Sequence, residues 1–150
     1  TSFSVISNPA SYFMVEIDSI NNIQIYLPIN IQMGCSIINQ DYLDEFRIDY
    51  ELDNNYSGTL KTYCGKQIHI LGKIDKLKVI IQNYIFQFNF LVTTDKEYVI
   101  ELGLENLLGY GAKLDLLNKQ ITLNDIEFPL SFKCDKNKFQ SSRSFLLHLG

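Results

Sequence analysis

The residues of this chain that can do chemistry gather around one glycine. In Ile29-Asn30-Ile31-Gln32-Met33-Gly34-Cys35-Ser36-Ile37-Ile38, an amide, a thioether, a thiol and a hydroxyl interrupt an apolar, strand-like run. Glycine in such a setting marks a tight turn or a close backbone approach. Cys35 is a nucleophile only if a base stands near enough to take its proton. The chain offers two histidines. His69 lies between Ile68 and Ile70 in what reads as a hairpin arm, and His148 lies near the end of the chain. An inert cysteine is therefore the favoured reading.

The remaining polar groups read as solvated surface. Asp41, Asp44 and Glu45 fit an exposed helix face. Asp49, Asp53, Asn54 and Asn55 lack the spacing and the glycine of a calcium loop. Two separated histidines give no metal cluster, and Cys35, Cys64 and Cys134 contain no C-x-x-C pair. Neither a metal nor a cofactor is expected. An odd number of cysteines at unrelated spacings argues against a disulfide framework and for a reducing, intracellular compartment. A net charge of -4 with scattered lysines argues against a nucleic-acid partner. No apolar run approaches the roughly 18 residues of a membrane span, and residues 1–10 lack the pattern of a signal peptide. No membrane partner is expected. A start at Thr1 fits a segment of a longer polypeptide.

What must position the glycine loop is a set of short strands. With 46% hydrophobic and 20% charged residues, the 150-residue chain suits one globular domain. The dominant pattern has period two. Phe13, Val15 and Ile17 alternate, residues 19–22 turn, and Ile23, Ile25 and Leu27 alternate again. Pro28 suggests a strand end or bulge. A second hairpin spans residues 59–72, with Cys64-Gly65-Lys66 turning and Gly72 ending it. Leu77, Val79 and Ile81 precede a turn at Gln82-Asn83, and Phe86, Phe88, Phe90 and Val92 follow it. These phenylalanines share one face, so core packing is expected rather than base stacking, and the strand tyrosines Tyr56 and Tyr63 are read with them. Leu104, Leu107 and Leu108 recur at helical spacing, with Gly109 and Gly111 as stop signals. Residues 113–116, 120–123 and 126–130 read as closing strands. The division expected is a lead over residues 1–11, a domain over 12–132 and a tail or linker over 133–150.

This order of elements resembles the retroviral-type (retropepsin-like) aspartic proteases, as found in retroviruses, retrotransposons and plant pararetroviruses. Residues 31–38 match the family's Asp-Thr/Ser-Gly-Ala-Ser/Asp loop at Gly34 and Ser36. Cys35 stands at the small alanine, while Gln32 falls on the catalytic aspartate and Met33 on the Thr or Ser. The hairpin over 59–72 looks like the family's flap. Val99-Ile100-Glu101-Leu102-Gly103-Leu104-Glu105-Asn106-Leu107-Leu108 is similar to its Leu-Gly-x-Asp/Asn-x-Leu signature.

The resemblance implies an all-β fold: a closed β-barrel with a flap hairpin and one short C-terminal helix. It implies a homodimer joined through Gln32, Met33, Gly34, Leu114 and Leu116, and an extended peptide held beneath Tyr63, Cys64, Gly65 and Lys66. In such enzymes each chain gives one aspartate to a dyad that shares a single proton. With Gln32 in that place no catalytic residue is intact. The expected function is a pseudoprotease acting in dimerisation, peptide binding or as a polyprotein segment. Two alternatives stand beside it. One is an aspartic endopeptidase that processes a viral or retrotransposon polyprotein and has had its catalytic Asp substituted. The other is an unrelated β-barrel interaction module.

Overall fold

A computed structural model describes residues 12–20, 23–62 and 64–133. The opening hairpin pairs β1 (Tyr12–Ile20) with β2 (Ile23–Asn30). Pro28 lies inside β2 opposite Met14 and does not end it, because β2 acquires its second neighbour only at Ile29 and Asn30. A short β3 (Ile37–Asn39) leads into α1 (Gln40–Glu45). The Asn39 side chain accepts from the Asp41 N–H at 2.8 Å, which caps that helix. A 3-10 turn (Asn54–Tyr56), capped by Asp53, precedes β4 (Gly58–Lys61).

β5 (Gln67–Ile81) and β6 (Tyr84–Thr93) form the long hairpin of the fold, turning at Gln82 and Asn83, both at positive φ. The strand therefore runs straight through Gly72, where an end was expected. The glycine instead permits a close crossing. A Cβ there would lie 2.7 Å from the Asp53 carbonyl oxygen and 2.8 Å from Leu52 Cγ, and Asp53 bridges to the adjacent Lys73. The ladder is irregular between Ile70 and Gly72 and again between Ile74 and Leu77. β7 (Ile100–Gly103), α2 (Leu104–Gly109), β8 (Lys113–Asp115), β9 (Gln120–Leu123) and β10 (Ile126–Lys133) complete the chain.

The sheet order is β4-β5-β6-β3-β7-β2-β1-β10-β9-β8, and β1 returns to β5 through Ser19 and Ile80. Strands β5, β6, β3, β7, β2 and β1 thus close a ring. Its interior holds Phe86, Phe88 and Phe90, with Leu27, Ile38, Leu43, Val79, Leu102 and Phe128. Phe86 and Phe88 lie with ring centroids 5.8 Å apart, and Tyr110 stands edge-on to both. Burying one such side chain contributes about 2–3 kcal/mol, so this stack is a main support of the barrel.

Candidate functional site

Topology decides where the glycine loop must lie. β2 pairs with β7 in parallel at Ile29↔Leu102 and Asn30↔Gly103, and β3 pairs with β7 antiparallel at Ile37↔Glu101 and Ile38↔Ile100. Two strands consecutive in sequence thus flank the same third strand. The segment between them, residues 31–36, has to cross over the end of β7, where Gly103 sits. A Cβ on Gly103 would overlap the Cys35 carbonyl and lie 2.9 Å from the Met33 carbonyl oxygen. Gly34 itself has nothing within 4 Å of its virtual Cβ and no positive φ. The close approach expected at Gly34 is made at Gly103 instead.

The loop is pinned at both ends. Asn30 starts it: its carbonyl accepts from Met33 N–H and its side-chain oxygen accepts from Gln32 N–H at 3.0 Å. The first turn of α2 has no side-chain cap. Its free N–H groups, on Leu104 and Glu105, donate to the carbonyls of Met33 and Gly34, each at 2.8 Å. Ser36 Oγ accepts from Gly103 N–H at 2.8 Å and from Asn106 Nδ2 at 2.6 Å. Asn106 also clamps both backbone groups of Asn89 in β6. One helical turn on, Tyr110 Oη does the same for Gln87. Side chains of α2 and of its C-cap Tyr110 therefore satisfy the edge of β6 below the point where β3 begins.

Within this frame Gln32 is exposed at the loop, while Met33 is buried with Ile37 and with Ile68 and Ile70 of the hairpin. Cys35, Leu60, Leu91 and Tyr98 pack against that small cluster. The 58–70 hairpin and the Gln32 loop are thus in contact through apolar side chains. The hairpin turn is closed by Thr62 N–H to the Lys66 carbonyl at 2.7 Å, with Gly65 at φ +87°. Cys64 is exposed, and a hydrogen bond with the Thr62 hydroxyl is the main cause lowering its thiol pKa. Lys66 is committed to the turn after β6: its ammonium pairs with Glu97 at 2.5 Å and Asp95 at 3.2 Å and lies 5.1 Å from the centre of the Tyr98 ring. Tyr63 lies outside the described residues. Leu114 is half-buried against the barrel, and Leu116 is exposed in the turn after β8, apart from the glycine loop in sequence and in strand order.

Among the described residues no Cys–His pair forms at Cys35. His69 alternates with Ile68 and Ile70 and faces solvent, opposite to the cluster that covers Cys35, and His148 lies outside the described residues. Burial pushes the Cys35 thiol up, and Glu105 and Glu101 add to this against a backbone hydrogen bond. Such a thiol is a poor nucleophile.

Two residues that sequence reasoning assigned no role stand beside the loop. Glu101 is 5% exposed and accepts one hydrogen bond, from Asn30 Nδ2 at 2.5 Å. Asn30 therefore joins the Glu101 carboxyl to the Gln32 backbone. Burial, opposed by that bond, holds the Glu101 pKa above the usual carboxylate value. The signal in the sequence was an acid inside the apolar strand Val99-Ile100-Glu101-Leu102. A raised carboxyl pKa means that the folded state holds the proton more tightly than the unfolded chain. The stability this one group contributes is then fully present below the unfolded carboxylate value, about pH 4, and is lost as pH rises through the folded one. Glu101→Gln keeps an acceptor for Asn30. We expect it to raise the urea midpoint at neutral pH, with the gain shrinking steadily toward acid.

No protein-family model matches the chain, and no curated protein matches it in sequence. Solved structures do. The retroviral protease-like domain of Ddi1 from Leishmania major superposes with a TM-score of 0.65 at 21% identity, over 80% of this chain and 94% of that one. The protease of EIAV, solved with the inhibitor HBY-793, gives 0.49 at 14% identity, over 74% and 96%. A retropepsin-like aspartic protease from Rickettsia conorii gives 0.49 at 19%, over 69% and 84%. The likeness to the Ddi1 domain, together with the closed strand ring and the loop crossing over Gly103, gives this chain the all-β retropepsin-like fold.

Proposed function

We propose that this domain is a retropepsin-fold pseudoprotease that pairs with a second copy of itself and holds an extended peptide without cutting it. One observation carries this reading. The loop that would present a catalytic aspartate is fully anchored, and it presents the exposed carboxamide of Gln32 instead. Peptide hydrolysis by an aspartate dyad needs two carboxyl groups sharing one proton, one to activate water and the other to donate toward the scissile carbonyl. A carboxamide has no proton to exchange near neutral pH. Met33 removes a second part, because a thioether cannot donate a hydrogen bond to the loop of a partner chain.

Pairing is supported by Gly34. Among the described residues nothing crowds it, while Ile31 of the same loop is 47% exposed and Leu104 and Leu108 of α2 are 37% and 70% exposed. A second copy meeting the loop supplies a reason for both the glycine and these apolar groups. The peptide's place is between the loop and the 58–70 hairpin, which acts as a flap.

The purified protein should cleave no member of a degenerate peptide library, read by mass spectrometry at acid and neutral pH. Gln32→Asp together with Met33→Thr should produce cleavage, and Gln32→Asp alone much less. Gly34→Leu should fold normally, yet sediment as a monomer at concentrations where the parent is a dimer. Pepstatin-sensitive cleavage by the unaltered chain would overturn the pseudoprotease reading, and an unaltered monomer at high concentration would overturn the pairing.

A further inference from the structure

Glu101 stands directly opposite Ile37 across the β3–β7 ladder, and cross-strand partners share a face. Ile37 belongs to the small cluster with Met33, Ile68 and Ile70, whereas the flanking Ile100 and Leu102 face the barrel interior. The Glu101 carboxyl is therefore on the face of β7 that the small cluster covers, where the hairpin meets the Gln32 loop. Cys35 and Tyr98, which pack against the same cluster, both feel its charge, and burial together with Glu101 pushes the Tyr98 hydroxyl up to about 12.

Among the described residues this carboxyl has no cation partner. Asn30 Nδ2 is its one hydrogen-bond partner, on Oε1, and it makes no ion pair among the described residues. Lys66 lies over the Tyr98 ring and is held by Asp95 and Glu97. A carboxylate taken out of water with only an amide for company is costly, and an arriving cation removes much of that cost. The second oxygen is also not sealed. Among the described residues Tyr42 Oη alone is a buried side-chain polar atom without a partner, so the unbonded Oε2 keeps a path to solvent. Hairpin and loop meet there through side chains, with Leu60 and Tyr98 only partly buried.

We propose that Glu101, oriented by Asn30, is a recognition residue for a cationic side chain, arginine or lysine, of a peptide lying between the 58–70 hairpin and the Gln32 loop. This names the ligand chemistry of the peptide cleft proposed above and rests on that reading. Guanidinium suits the site best, because its planar fork presents several N–H donors and gives up water more readily than an ammonium, as a largely buried carboxyl requires.

The test compares capped hexapeptides that differ at one central position, arginine against methionine, by calorimetry, with amide chemical shifts of Glu101 and Tyr98 followed by NMR. The arginine peptide should bind at least tenfold more tightly. Glu101→Gln should bring the ratio of the two affinities close to one, and Glu97→Gln should leave the preference intact. In the unaltered protein the preference should also fade toward acid as Glu101 takes up its proton, a readout that needs no variant. If both peptides bind equally, or Glu97→Gln removes the preference in place of Glu101→Gln, the cation site is overturned and the peptide cleft survives. If no peptide shifts any resonance, the cleft reading fails and takes the cation site with it.

Discussion

Gly103→Ala should destabilise the domain by about 3 kcal/mol or more, at the upper end for adding one methyl group. Overpacking is cheap when the neighbour is the end of a flexible side chain. Here the neighbours are the carbonyl groups of Cys35 and Met33, both backbone. Neither can retreat alone. The Met33 carbonyl accepts from Leu104, the Gly34 carbonyl from Glu105, and Gly103 N–H itself donates to Ser36 Oγ. Lifting the loop off β7 would break these bonds together and leave the first turn of α2 uncapped. The check is chemical denaturation with amide exchange at Leu104 and Glu105. Parent-like stability would mean that the loop does not cross on Gly103. Gly34→Ala is the matched control, since a Cβ there meets nothing, and it should change stability little as long as the chain is monomeric.

That contrast also marks what the sequence made legible. The β5–β6 hairpin was readable because alternation is a local property: Leu77, Val79 and Ile81 face Phe88, Phe86 and Tyr84 across a two-residue turn. The α2 helix was readable from Leu104, Leu107 and Leu108 and its stop at Gly111, which takes φ +58°. The glycines were read less well, because local sequence does not say what will press on them. Gly72 looked like a strand end, and it is a crossing point for Leu52 and Asp53. Gly34 looked sterically required, and the requirement lies on Gly103. Gln32, Met33 and Gly34 do fall together on the loop, but the direction of Met33, inward against Ile68 and Ile70, depends on a hairpin distant in sequence. Asn30 and Glu101 went unassigned because each is an isolated polar residue in an apolar strand, and only the β2–β7–β3 arrangement brings them together.

Asn106→Leu should cost about 3 kcal/mol, although the side chains are similar in size. Asn106 Nδ2 donates to Ser36 Oγ and to the Asn89 carbonyl at 2.8 Å, and its Oδ1 accepts from Asn89 N–H at 3.0 Å. The amide continues the ladder of β6 where β3 has run out, since the last β3-side bond is Leu91 N–H to the Ser36 carbonyl. A leucine leaves the half-buried N–H and carbonyl of Asn89 and the buried Ser36 hydroxyl without that partner, and the penalty for stranding such groups exceeds the worth of the bonds themselves. Asn106 is 7% exposed and Ser36 2%, so water has little access to repair the loss. Ser36→Ala alone should cost less, because Asn106 retains both bonds to Asn89. The double variant separates the contributions. If the network acts as one unit, Ser36→Ala added to Asn106→Leu should cost clearly less than it does alone. Strict additivity would mean that Ser36 and Asn106 hold the glycine loop independently. Coupling would mean that the loop, the β7 end and the β6 edge are set by one shared hydroxyl, so that α2 fixes the position of Gln32 through Ser36 as well as through its first turn.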